Sequence, residues 1–91
     1  MMEPARARLE HALADCLETL ARTPDDPEVR SDLGTVLLGL GRTEEALAAY
    51  RAVLAVGFDH PLVYYNMGTA LRTLGRPEQA LPAFLEALAR A

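Results

Sequence analysis

Lysine is absent from this chain: all nine cationic side chains are arginine, a compositional bias of the kind a GC-rich genome produces. There is one cysteine, Cys16, which excludes an internal disulfide and any Cys-rich metal site. Positive charge is not in surplus. The net charge of −4 argues against a nucleic-acid partner, whose usual footprint is a basic face. No stretch approaches the roughly 18 apolar residues that a membrane-spanning helix needs, so no membrane partner is expected. The opening Met1-Met2-Glu3-Pro4-Ala5-Arg6 carries no apolar run of signal-peptide length. These absences make a cytoplasmic protein the default expectation.

What is present points to one helical domain. The chain has 91 residues, of which 51% are apolar and 24% charged, a soluble globular balance. Aromatics are few, while alanine and leucine are plentiful, which favours helix. Proline and glycine punctuate the chain. A first helix is predicted over 4–22, with Leu9, Leu13, Leu17 and Leu20 as its buried stripe. Thr23-Pro24-Asp25-Asp26-Pro27 stops it and restarts the chain, with Asp26 as N-cap and Pro27 in the first helical position. Helices follow from Pro27, Thr43, Pro61 and Pro77, and Gly41 and Gly75 take the turns between the paired helices. Pro82, early in the fifth helix, removes one donor and is tolerated there.

The hexapeptide Arg42-Thr43-Glu44-Glu45-Ala46-Leu47 recurs 34 residues later as Arg76-Pro77-Glu78-Gln79-Ala80-Leu81. It also occurs 34 residues earlier, as Arg8-Leu9-Glu10-His11-Ala12-Leu13. A fixed interval of this size marks a repeat protein. Laying Pro27 onward over Pro61 onward pairs Val29 with Val63, Gly34 with Gly68, Leu37 with Leu71, Gly41 with Gly75 and Leu54 with Leu88. Each unit is a helix, a glycine turn and a second helix. Neither buries its apolar surface alone, so the units must stack.

These units resemble tetratricopeptide repeats, which carry an aromatic, then leucine-glycine, on the first helix and A-x-x-x-F on the second. Here the second unit reads Tyr64-x-x-Met67-Gly68 and Ala80-x-x-x-Phe84, and the first reads Arg30-x-x-Leu33-Gly34 and Ala46-x-x-x-Tyr50. Arg30 departs from the pattern, which would loosen the outer end of that unit. The resemblance implies an all-α, right-handed superhelix of five helices. Its parts are an N-terminal capping helix over 4–22, a first repeat over 27–56 and a second over 61–90. It implies a protein–protein interaction module, an adaptor or assembly scaffold, with no turnover and no cofactor. The alternative is a regulatory or docking domain of a larger enzyme.

The residues themselves offer little catalytic chemistry. His11 falls on the polar side of the first helix, and His60 precedes a proline as a cap; neither has a carboxylate or cysteine at metal-ligand spacing. Cys16 occupies an apolar register, as a small partly buried hydrophobe. The glycines are isolated and follow the repeat, so no loop cradles phosphate. A small enzyme using Cys16 or His11 is therefore disfavoured, and no catalytic, cofactor or metal residue is assigned.

Two surfaces remain as candidates for a protein or peptide partner. In the family the resemblance suggests, the first-type helices line a concave groove. By helical phase that side carries Glu28, Ser31, Asp32, Thr35 and Leu38, then Leu62, Tyr65, Asn66, Thr69 and Arg72, with Tyr65 as the anchor. Relatives that clamp the C-terminal carboxylate of heat-shock chaperones use lysines and asparagines there. Asn66 stands at one matching place, but Ser31 and Thr35 replace the others, so that activity is excluded. The second surface is on the last helix, where Leu81, Leu85 and Leu88 form an i, i+4, i+7 stripe with Phe84 alongside. Terminal repeats usually present a polar outer face. An apolar one leaves two accounts open: self-association, such as a homodimer through this helix, or coverage by further repeats.

Overall fold

The computed structural model describes residues 2–91, with side chains from residue 4 onward. Residue 1, part of the N-terminal stretch read above for a leader, lies outside the described residues. Five helices follow one another: α1 (Met2–Arg22), α2 (Pro27–Gly39), α3 (Thr43–Ala55), α4 (Pro61–Thr73) and α5 (Pro77–Arg90). Most starts and stops have a local cause. Asp26 Oδ1 accepts from the Glu28 and Val29 amides at 3.0 and 3.3 Å and caps α2, and Pro27 supplies its first turn. His60 does the same for α4, its Nδ1 accepting from the Leu62 amide at 3.1 Å. Gly41 and Gly75 leave α2 and α4 with φ of 79° and 74°, angles that a side chain would resist. No side-chain cap closes the starts of α3 and α5. There Arg42 turns back to pair with Glu45, and Arg76 reaches Glu44 in the preceding unit.

Helices α2 and α3 form one antiparallel hairpin and α4 and α5 the next; α1 packs on α2, and α4 bridges the hairpins through α3 and, more lightly, α2. The core is continuous but has two centres. Leu37, Ala46, Tyr50, Val53 and Val63 form the first, and Leu47, Ala70, Leu71, Ala80 and Ala83 the second. Leu38, expected to face the groove, is half-buried and packs against both centres. The helical glycines are where aromatic rings lie on backbone. A Cβ on Gly34 would stand 2.8 Å from Tyr50 Cε1, and one on Gly68 2.7 Å from Phe84 Cε1. Thus A-x-x-x-F on the second helix is read by glycine on the first.

One part of the predicted α1 stripe fails. Leu20 is buried and Leu9 and Leu13 half-buried, but Leu17 is 52% exposed. Each i+4 step overshoots a full turn by about 40°. Two such steps carry Leu17 off the face that Leu20 recovers, and Cys16, on the other side of that face, is more sheltered. Arg30, where the repeat pattern has an aromatic, is half-buried and donates from Nη2 to the Pro24 carbonyl at 2.7 Å. That bond ties the α1–α2 turn to α2 instead of loosening it.

Candidate protein-binding site

The first unit's part of the predicted groove is largely tied to the core. Thr35 donates to the Ser31 carbonyl at 3.2 Å. Its one proton is thereby used, so its oxygen accepts from the Tyr50 hydroxyl at 3.0 Å and from Asn66 Nδ2 at 3.4 Å. Asn66 comes from α4, so this small network joins the two repeats across the groove floor. Tyr50 is fully buried, and that burial pushes its phenol up. Asp32 stays exposed, but its charge also acts on Cys16 of α1. The Cys16 thiol is pushed up first by burial and then by Asp32 and Asp15, which keeps it protonated and weakly nucleophilic at neutral pH.

The second unit's part is different. Leu62 and Tyr65 on α4 are 60% and 53% exposed. The Tyr65 ring stands 5.7 Å from that of Phe84, tilted by 57°, and Arg72 lies over the Phe84 ring at 5.9 Å. Phe84 therefore turns toward α4 and out of the leucine stripe. Thr69 hydrogen-bonds the Tyr65 carbonyl at 3.2 Å and does not enter this aromatic group. On α5, Leu81, Leu85 and Leu88 are 60%, 55% and 73% exposed.

The two surfaces read separately from the sequence meet at one place. Between α4 and α5 lies an open concavity of 550 Å³ with Leu62 and Tyr65 on one wall, Phe84 and Leu88 on the other and Ala87 below. Its walls are almost entirely carbon. Ala87 was not singled out from the sequence, although the repeat register carried the signal. It stands where the first unit has the fully buried Val53, and the smaller side chain deepens the cleft. The walls follow the same logic: Leu62 stands where the first unit has Glu28, and Tyr65 where it has Ser31.

The two histidines lie elsewhere on the surface. His11 is exposed on α1, and His60 is committed to its cap, stacked on Phe58 at 6.1 Å. Among the described residues no three His, Cys, Asp or Glu side chains are grouped to hold a metal ion. No described helix is long and apolar enough to cross a membrane.

Comparison with known proteins agrees with the repeat fold. A tetratricopeptide repeat family model matches residues 5–60 and again 31–91, together nearly the whole chain. No curated protein sequence matches. Among solved structures, MamA MSR-1 C2 superimposes with a TM-score of 0.80 at 26% identity, covering 90% of this chain and 47% of that one. MamA AMB-1 C2221 superimposes with a TM-score of 0.82 at 26% identity, covering 92% of this chain and 49% of that one. The chain thus spans about half the length of the solved structures it matches.

Proposed function

Because the chain belongs to the tetratricopeptide repeat family, we propose that it is a protein–protein interaction module whose binding face is the apolar cleft between α4 and α5. The observation that carries this reading is the continuity of Leu62 and Tyr65 with Phe84 and Leu88 around one concavity. Contiguous exposed apolar surface is the usual mark of a protein-binding site. Tyr65 is the anchor: its ring is held by Phe84, so little side-chain freedom is lost when a partner covers it. Arg72, held over Phe84 at the rim, supplies a charged group to orient the incoming chain. Ser31, Asp32, Thr35, Asn66 and Thr69 form the polar continuation of the groove, and the leucine stripe of α5 extends the apolar side outward. The module works by shape and side-chain recognition, without turnover.

Affinity capture tests this. Tyr65→Ala and Leu62→Arg chains should each lose partners that the wild-type chain retains, while Leu17→Arg, at an exposed apolar site on α1, should keep them. Equal recovery by all four chains would reject the cleft as the binding face.

A further inference from the structure

We propose that the occupant of the α4–α5 face is a second copy of this chain, docked about a two-fold axis near Leu85 so that the two α4–α5 hairpins form a four-helix bundle. This rests on the reading of that face as a protein-binding surface and names its partner.

The internal repeat supplies the control. Helix α4 covers α3 in the first unit, and Leu47, Tyr50 and Val53 are buried to 1% or less. A helix placed on α5 in the same pose would cover Leu81, Phe84 and Ala87, their equivalents 34 residues on. It would not cover everything that is apolar there. In the first unit Glu28 and Arg51 remain exposed even with α4 in place, so a helix in that pose does not reach them. Their equivalents are Leu62 and Leu85. Polar residues have been exchanged for leucine at two positions that the next helix of a stack leaves in water. The occupant must therefore be wider than one further repeat helix, reaching Leu62 on one side and Leu85 on the other.

A second α4–α5 hairpin has that width. Leu81, Leu85 and Leu88 have the i, i+4, i+7 spacing of a helix–helix seam. Antiparallel pairing of two α5 helices centres it on Leu85. It also sets opposite helix dipoles side by side. A stable interface removes roughly 800 Å² per partner, more than one short helix face offers, so the contact takes in Leu62 and Tyr65 of α4 as well. The opposite end of the molecule does not compete for this face. On α1, Asp15, Cys16 and Thr19 stand where α3 has Ala49, Tyr50 and Val53, so head-to-tail stacking would bring a polar surface, with a carboxylate in it, onto the leucines. The association is closed, not open-ended.

Sedimentation equilibrium of the 91-residue chain tests the proposal. The expected mass is twice 9.9 kDa at all but the lowest concentrations. Leu85→Arg and Leu62→Glu should each give a single-copy mass with unchanged helical circular dichroism, and Leu17→Arg should stay dimeric. In a Cys16→Ser background, Leu85→Cys should form a disulfide-linked dimer on mild oxidation and Ser31→Cys should not. That measurement decides the matter if Leu85→Arg fails to fold. A single-copy mass at millimolar concentration with no Leu85 cross-link, a mass that grows without limit, or a folded Leu85→Arg chain that remains dimeric would each overturn the proposal. A monomeric wild type whose captured partners are lost on Tyr65→Ala would remove the second copy while leaving the binding face itself standing.

Discussion

The Arg76 guanidinium bonds the Glu44 carboxylate at 2.8 Å across 32 residues, so the arginine of one R-x-E-x-A-L copy pairs with the glutamate of the copy before it. The hexapeptide is thus a splice between repeats as well as a helix start. The pairing is not uniform, since Arg42 turns to Glu45 within its own turn and Glu10 pairs with Arg6. Both Arg76 and Glu44 are well exposed, at 38% and 62%, which limits what the pair contributes. A double-mutant cycle with Arg76→Ala and Glu44→Ala should give a coupling of about 1 kcal/mol or less. It should shrink as salt is raised.

Gly34 and Gly68 should respond differently to the same change. Alanine at either position gains about 1 kcal/mol of helix propensity. It also puts a Cβ inside 3 Å of an aromatic ring. Tyr50, the ring over Gly34, is fully buried and hydrogen-bonded, so it has nowhere to go. Phe84, over Gly68, borders an open cleft and can yield. Gly34→Ala should be net destabilising by about 1–2 kcal/mol, within the usual cost of overpacking. Gly68→Ala should be near neutral. Urea unfolding of the two variants measures the difference.

Glu45 carries a pH-dependent contribution whose sign is fixed. The hydrogen bonds from Arg42 hold the Glu45 carboxyl below the usual range, with desolvation opposing them and the Arg42 charge adding to them. A carboxyl lowered in the folded state contributes stability above its unfolded value and loses it as pH falls through the folded one. The side chain is exposed, so the effect on stability is small and the titration is the better readout. Carboxyl carbon NMR should place its midpoint below that of a free glutamate, and Arg42→Ala should raise it.

Cys16 should react slowly. Burial and the charges of Asp32 and Asp15 disfavour its thiolate, the reactive form. At pH 8 a thiol reagent should modify the folded chain more slowly than the unfolded one, and Asp32→Asn should accelerate the reaction. An unchanged rate in that variant would show that the α2 carboxylate does not act on the α1 thiol.

Most of the fold could be read from the sequence because its signals are local. Asp26, the prolines at 27, 61 and 77, and the glycines at 41 and 75 act within one turn of their own position, and helix ends fall within one or two residues of where they point. Leu17 leaves the buried face because a spacing of four is not a straight stripe but drifts around the helix. Leu38 is half-buried because the neighbouring repeat, as well as its own helix, decides its burial. The union of Leu62 and Tyr65 with Phe84 and Leu88 depends on how two helices lean together, which no single-helix phase contains. A trace of it did lie in the sequence, in the positions where the two repeats differ. Matches between them report the shared scaffold, and the exchanges Glu28/Leu62, Ser31/Tyr65 and Val53/Ala87 mark the proposed site.

The hydrogen bonds among Thr35, Tyr50 and Asn66 bear on how this protein can change. Thr35 and Asn66 face the groove, yet each is bonded to the other or to a buried phenol. Substituting either to suit a new ligand would loosen the seam between repeats at the same time. Leu62, Tyr65 and Arg72 carry no such tie. Specificity can drift at one end of the surface at little structural cost, while the other end stays fixed, so related chains that recognise different proteins should differ first around the α4–α5 cleft.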